Sequence, residues 1–479
     1  MAETPVIYWY RQDLRVDDLP GLAAAASAGR PVLPCFILDD TLPERERPGG
    51  ASRWWLHHSL AELDHRIRER NGRLLLRHGN PVSVLTELAL ELQAGAVFFS
   101  RAVEPHCRRD EAALISALEA HGIGAQGFEG NLLFSPEEIQ NRSGAPFRVF
   151  TPFWKQCLAS RTKMRIPTGP VSPRFSVDLP DGDRLEDWNL LPSQPNWATS
   201  IAQTWQPGEI AGHAMLEQFA AKASAYSDHR NFPAEDGTSR LSPYLHFGNI
   251  SAAQAYAGVT ISGQKPSRGA ASFQREVGWR EFSAHLLFHF PHLPEKPFRP
   301  EFVDFPWEDN SALLRAWQLG RTGFPIVDAG MRQLWQTGWM HNRVRMVAAS
   351  VLVKHLLIHW RQGEAWFWDT LVDADLANNV AGWQWVAGCG ADAAPYFRIF
   401  NPVLQGQKFD ADGRYVRRWI PELARLPDRY LHAPWLADEE VLRNAGIRLG
   451  ETYPMPLVEP DVGRKRALAA LETLKSSTA

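Results

Sequence analysis

Val6-Ile7-Tyr8-Trp9-Tyr10, followed at once by Arg11-Gln12-Asp13-Leu14-Arg15, is an apolar run broken by a polar turn, and its reading decides the fold of the N-terminal third. Five consecutive apolar residues read as a strand buried on both faces. Working outward, further apolar runs at 32–38, 74–76 and 97–100 alternate with helical periods at 53–69, 81–93 and 110–121. That alternation predicts an α/β domain over residues 1–135, a doubly wound parallel sheet. A dinucleotide cradle would need GxGxxG after the first strand. The turn there carries Arg11 to Arg15 instead, which excludes the usual Rossmann cofactor site.

Residues 136–207 are rich in Pro, Ser, Asp and Gly, lack sustained periodicity, and read as a long linker wrapped on the surface. From 208 to 479 the pattern turns helical, with segments at 213–227, 273–290, 311–319, 328–337, 343–359 and 365–371, so the remainder is expected to be all-α. The net charge of −3 carries no basic signature, and any nucleic-acid surface must be a local patch. Cys35, Cys107, Cys157 and Cys389 stand apart, without a CxxC pair or a histidine at zinc-ligand spacing; they read as reduced thiols, and no metal site is expected. The first residues lack a basic export signal, and the apolar stretch at 347–358 is broken by Lys354 and His355, so the expectation is a cytoplasmic protein without a membrane span. Of 19 tryptophans, 12 lie at or beyond Trp279; a helical core that uses indoles to bury area explains this at first sight.

Two polar clusters interrupt the helical part. Thr238-Ser239-Arg240-Leu241-Ser242-Pro243 places hydroxyls and a guanidinium before a helix start, with Ser242 as the expected N-cap and Pro243 as the first helical residue. Such a start suits phosphate groups, although a Ser-Pro start most often serves as a cap alone. The second cluster runs Trp339-Met340-His341-Asn342-Arg343-Val344-Arg345-Met346, then Asp373-Ala374-Asp375-Leu376-Ala377-Asn378-Asn379 and Trp383-Gln384-Trp385. Charges this dense among apolar residues must pair with one another or with a ligand. Arg345 and Asp373 can form such a pair, for structural reasons as readily as for functional ones.

Gly323-Phe324-Pro325-Ile326-Val327-Asp328-Ala329-Gly330-Met331-Arg332, Trp339 to Arg343, Gly382 to Trp385, and Pro395-Tyr396-Phe397-Arg398-Ile399-Phe400-Asn401-Pro402 resemble, in that order, the FAD-binding domain of DNA photolyases and cryptochromes. Trp9 to Arg15 resembles the family's N-terminal strand and turn, so the resemblance spans essentially the whole chain. It implies an antenna domain over 1–135 and a non-covalent, U-shaped FAD in the helical domain, 208–479. On this resemblance Thr238, Ser239, Arg240, Leu241 and Ser242 hold the phosphates and ribityl chain, with contacts from Tyr226 and Phe273. Asp375, beside Ala374, accepts a hydrogen bond from the flavin ring, and Arg345 paired with Asp373 balances the reduced anion. Asn379 matches the position facing flavin N5. Plant cryptochromes tend to carry an acid there that could donate a proton, so the amide argues for a repair enzyme with a fully reduced flavin.

The same resemblance implies a substrate. Six-four photolyases use a histidine pair near the lesion, whereas the matching positions here are Asn342 and Met346, which favours cyclobutane pyrimidine dimers. Reaching such a dimer requires flipping it out of the helix. Trp279 and Trp385 match the indoles flanking the flipped dimer, and Glu276 matches the acid on a pyrimidine carbonyl. Arg280, Arg343 and Arg398 are candidates for surrounding phosphates. Trp383, Trp360 and Trp307 match the chain of indoles that re-reduces the flavin under light; Trp366, Trp368 and Trp385 leave room for another branch. An antenna is expected, methenyltetrahydrofolate rather than a deazaflavin, although Cys107, flanked by Glu104 and Glu111, stands near where folate-binding members carry a glutamate. Damaged DNA is the expected partner of a monomer that associates with the bacterial nucleoid. The short tail, Ser476 to Ala479, and Asn379, Glu276 and Trp279 weigh against the alternative, a cryptochrome-type photoreceptor without repair activity. An ordinary flavin oxidoreductase is disfavoured by the lack of a nicotinamide motif.

Overall fold

A computed structural model describes residues 4–177, 179–260, 265–393 and 397–478; Pro395 and Tyr396 of the motif above and Ala479 of the tail lie outside the described residues. The chain divides into two compact units, Met1–Ser224 with Ser239–Pro291, and Ala225–Thr238 with His292–Ala479.

In the first unit five parallel strands, β1 (Val6–Tyr10), β2 (Val32–Leu38), β3 (Leu75–His78), β4 (Ala96–Ser100) and β5 (Gly124–Phe128), form a sheet in the order β3-β2-β1-β4-β5. All five residues of β1 are buried, as expected of a central strand covered by helices on both faces. Its Ile7 packs with Leu33, Val97 and Leu114, and each such side chain contributes about 1.5–3 kcal/mol on burial. The helices Gly50–Arg68, Pro81–Glu91 and Pro105–Glu119 fall where periodicity places them; Asn80 caps the second, accepting from Val82 and Ser83 N–H. The strand order reverses between β1 and β4, where ligands bind in doubly wound sheets. The edge strand β5 and the helix Pro20–Ser27 escaped the sequence reading. Residues 136–207 also differ from the expected bare linker: they carry the helices Phe150–Ala159 and Thr199–Thr204, Phe175 bridges to Val32, and Asp183 N–H donates to Leu76 C=O.

The second unit is helical. Its core joins the helices Ser311–Gln318, Pro325–Thr337, Asn342–Ser350, Trp360–Thr370, Leu376–Ala387 and Pro460–Thr478. Fully buried Asp328 fixes the turn into the second of these, accepting from Thr322 N–H and hydroxyl, Gly323 N–H and the Tyr453 hydroxyl at 2.6–3.0 Å. The periodic stretch at 343–359 is not one helix. It ends in a π-helical turn, Val351–His355, and Leu357 then adopts φ +57°, a conformation that stops a helix of L residues. Buried Lys354, inside that turn, donates to Ala387 C=O at 2.6 Å and caps the Leu376–Ala387 helix. No helix among the described residues is long and apolar enough to cross a membrane, and no three His, Cys, Asp or Glu among them are placed to hold a metal.

Candidate active site

The Leu376–Ala387 helix is the centre of the site in the second unit. Asp375 is its N-cap, one carboxylate oxygen accepting from Asn378 N–H at 2.8 Å and from Asn378 Nδ2 at 2.6 Å. One turn in, Asn379 is 9% exposed, and its Nδ2 donates to Glu364 twice, to the main-chain carbonyl at 3.1 Å and to the carboxylate at 2.9 Å. The amide is thereby oriented: its Nδ2 is held by Glu364 and its Oδ1 accepts no hydrogen bond among the described residues. Just before the helix, Arg345 Nη2 donates to both oxygens of Asp373 at 3.0 and 2.9 Å, while Nε holds Met340 C=O at 2.7 Å. Breaking so buried a carboxylate's pair would cost about 3–5 kcal/mol. Ala374 is buried between the two aspartates.

Further along the same helix the Trp383 indole lies against the backbone of Gly363, with Phe367 at 5.0 Å and Trp317 at 6.0 Å between ring centres. Trp360 is buried and stacks on His359 at 5.6 Å, and His359 meets Trp307 at 5.1 Å. Among the described residues no ring contact joins Trp383 to Trp360.

A positive cluster lies in the same unit. Arg343 Nη2 donates to Asn231 at 2.7 Å and its guanidinium covers Phe409 at 4.5 Å. Burial, and then the charges of Arg230 and Arg398, lower its pKa. The charges of Arg230 and Arg398 facing Arg343 favour an anion beside it. Arg398 also stands over Trp385 and Phe400, each at 6.0 Å, while Asn342 is exposed and Met346 half-buried. His341 caps the Asn342–Ser350 helix through Nδ1, 3.1 Å from Arg343 N–H. Tyr226, buried, carries Arg230 over its ring at 5.1 Å, and Thr238 is partly exposed.

In the first unit the helix Arg268–His289, capped by Ser267, presents Phe273, Glu276, Trp279 and Arg280 at helical spacing. Trp279 stacks on Phe150 at 3.7 Å, the planes 8° apart, and Glu276 is half-buried. Phe273 is buried against Phe219 at 4.7 Å. Arg280, expected at phosphates, instead turns inward, donating to Asn131 C=O at 2.9 Å and Leu245 C=O at 3.3 Å. The phosphate-cradle segment differs in detail too. Arg240 takes φ +54° over Trp205, so the chain turns one residue early and Leu241, not Ser242, is the N-cap of a helix only five residues long, Ser242–His246. So short a helix adds little dipole, which leaves any anion to the guanidinium and hydroxyls. At the carboxyl ends of β1 and β4, Arg11 donates to Glu111 at 2.7 Å and covers Trp9 at 4.5 Å. Glu104 accepts from Val103 N–H at 3.1 Å, and burial raises the pKa of the Cys107 thiol.

The family described as "DNA photolyase" matches residues 6–172, and "FAD binding domain of DNA photolyase" matches residues 273–473. The chain is 47% identical to the deoxyribodipyrimidine photo-lyase of Agrobacterium fabrum, over 100% of both chains. This protein belongs to the DNA photolyase/cryptochrome family. It is 38% identical to Cryptochrome-1 of Arabidopsis thaliana, over 98% of this chain and 70% of the cryptochrome. Among solved structures it resembles a bacterial class III photolyase from Agrobacterium tumefaciens, with TM-score 0.95 and 45% identity over 99% of this chain and 98% of that one.

Two residues with evident roles escaped the sequence reading. Glu364 orients Asn379 from 15 residues away, and Trp317 touches Trp383 across 66 positions. Neither carries a local signal; only the density of polar and aromatic residues near them could have raised suspicion.

Proposed function

We propose that this protein is a deoxyribodipyrimidine photo-lyase that uses light and FAD to split cyclobutane pyrimidine dimers flipped out of DNA. The observation that carries the reading is Asn379. Its side chain is an amide rather than an acid, and Glu364 holds its Nδ2 so that the carbonyl oxygen remains to accept an N–H from a reduced flavin ring. The donor set fits FAD: Arg345, bound to Asp373, supplies a fixed positive charge for a reduced ring, and the second oxygen of Asp375 remains for a ring N–H. In the first unit, Ser239, Arg240, Leu241, Ser242 and Phe273 are assigned to the cofactor on the family resemblance, as are Tyr226, Thr238 and Ala374 in the second. Bound FAD, when reduced and illuminated, supplies the electron that opens the cyclobutane ring and takes it back afterwards.

The residues of the chain bind and orient. Arg343 and Arg398 hold backbone phosphates, with Asn342 and Met346 beside them, and Trp385 offers its indole face to the flipped pyrimidines. Trp279 stacks in the same way, one face already on Phe150, and Glu276 donates or accepts at a pyrimidine carbonyl. Arg280 is turned inward to Asn131 C=O, Leu245 C=O and Glu281, which argues against a phosphate there. Trp383, Trp360 and Trp307 relay electrons inward. The antenna is methenyltetrahydrofolate rather than a deazaflavin, placed where β1 and β4 diverge; Trp9 Nε1 and two nitrogens of Arg11 are buried there without a partner among the described residues. The setting is the bacterial cytoplasm and nucleoid, and the working form is a monomer.

The deciding experiment is anaerobic illumination of the purified, chemically reduced protein with an oligonucleotide carrying one thymine cyclobutane dimer. Recovery of thymine absorbance, absent in the dark, supports the assignment. No recovery from a fully reduced, FAD-loaded sample would transfer it to a photoreceptor, a reading favoured by the likeness to Cryptochrome-1.

A further inference from the structure

Phe147-Arg148-Val149-Phe150-Thr151-Pro152-Phe153-Trp154 leads into the Phe150–Ala159 helix, whose buried residues, Phe150, Phe153, Trp154 and Cys157, recur at helical spacing and make one apolar face. That face lies on the Arg268–His289 helix. Trp154 sits where Gly278 leaves room, since a Cβ at Gly278 would stand 2.7 Å from its Cε3. Phe153 meets Phe282 at 5.2 Å and His285 at 5.0 Å. Phe150, only 1% exposed, lies flat on Trp279, ring centres 3.7 Å and planes 8° apart. Two aromatic rings left to themselves slide sideways or turn edge-on, because a face-to-face stack opposes their quadrupoles. Here the neighbours hold the pair flat. Trp154 lies parallel to Phe150 at 6.5 Å, and Phe282 stands edge-on to both rings, at 5.9 Å from Phe150 and 6.0 Å from Trp279. The guanidinium of Arg275, one helical turn before Trp279, lies over Phe150 at 5.3 Å and is attracted by its electron-rich face.

We infer that Phe150 is a positioning residue for repair: with Trp279 stacking on the flipped dimer as proposed above, Phe150 fixes the plane of that indole and covers the face that the dimer does not use. An indole free to turn about its two side-chain torsions must be ordered when the dimer arrives, and ordering one side chain at an interface weakens binding by about two- to tenfold. Folding meets that cost in advance here, since Phe150 belongs to the core while Trp279 stays half-buried. A preference for the lesion follows. An undamaged base is costlier to unstack, and its strand is held mainly through phosphates, so a rigid Trp279 acts on the flipped dimer and leaves the binding of undamaged DNA unchanged.

The test is binding in the dark of FAD-loaded protein to an oligonucleotide with one thymine cyclobutane dimer and to its undamaged counterpart, each followed by the anisotropy of an end label. Phe150→Met, which keeps the volume of the side chain and gives up its plane, should raise the Kd for the dimer about two- to tenfold and leave the Kd for undamaged DNA as it was. Phe150→Leu should do the same and takes its place if the first variant does not fold, whereas Phe150→Tyr, which keeps the ring, should stay near the parental Kd. In a Trp279→Ala background, itself weaker for the dimer, Phe150→Met should have no further effect, because the two residues act as a unit. A folded Phe150→Met or Phe150→Leu protein with parental dimer affinity overturns the inference, as does an equal loss with and without Trp279, or an equal loss on both oligonucleotides. A parent chain without preference for the dimer, or a Trp279→Ala variant that binds it as the parent does, takes the reading of the lesion site down with it, a distinct result.

Discussion

Gly363→Ala tests the placement of Trp383 with a single methyl group. An added Cβ would stand 2.5 Å from Cζ3 of Trp383 and 2.7 Å from Cδ2 of Leu352. Carbon atoms in contact prefer about 3.5–4.0 Å, so the indole must retreat by roughly 1 Å or more. It has nowhere easy to go, with Phe367 and Trp317 packed against it and only 3% of its surface exposed. Overpacking of this kind costs about 1–3 kcal/mol, while replacing glycine within a helix returns about 1 kcal/mol. The net loss, roughly 0–2 kcal/mol, leaves a protein of ordinary stability folded. The relay begins at Trp383, however, so a folded variant should photoreduce more slowly, while repair after chemical reduction stays at the parental level. The assay pairs the photoreduction rate with dimer repair by dithionite-reduced protein, and Trp383→Phe sets the floor. An FAD-loaded Gly363→Ala protein that photoreduces at the parental rate would refute the reasoning, because the displaced indole would then not be the entry point.

Three other predictions follow from single residues. Glu276→Ala should lower dimer repair with FAD retained; an unchanged repair yield removes Glu276 from the site. Arg343→Gln should weaken DNA binding and reduce the slope of log affinity against log salt by about one, with no change in preference among undamaged sequences; an unchanged slope would mean that Arg343 meets no phosphate. Glu281→Gln should flatten the dependence of stability on pH. Burial pushes the Glu281 carboxyl from 4.5 up to about 7, opposed by Arg280 and by the N–H groups of Leu133 and Phe134. Between those values the folded chain holds a proton that the unfolded chain has lost, so stability falls as pH rises and levels off above about 7. At about 1.4 kcal/mol for each pH unit the full loss is about 3 kcal/mol, to be read as urea midpoints at about pH 5 and about pH 8, and equal losses in parent and variant would refute it.

What could be read from the sequence depended on whether local pattern or distant neighbours determine the feature. The strands β1, β2 and β4 are apolar runs and announce themselves, whereas β5, Gly124-Ala125-Gln126-Gly127-Phe128, has no β-branched residue and is a strand only because β4 offers it a partner. The stretch at 343–359 keeps a helical period that hides the π turn, and the partner of Lys354 within it, Ala387 C=O, lies 33 residues away. At the candidate site the sequence supplied the pairing of Arg345 with Asp373, because so few partners exist for buried charges. It supplied Asn379 through resemblance, but not Glu364, which decides how that amide points.

The arginines carry this argument furthest. Arg280 and Arg343 looked alike as phosphate ligands, since residue type fixes only that five donors must be satisfied. In the fold Arg280 is held inward by the carbonyl groups of Asn131 and Leu245 and the carboxyl of Glu281. Arg343 meets one amide and the charges of Arg230 and Arg398, which leaves a deficit of negative charge around it. Whether an arginine can serve a ligand is thus decided by the acceptors that the fold leaves beside it. The same accounting sets Asn379 apart, whose donors are spent on Glu364 and whose acceptor is not.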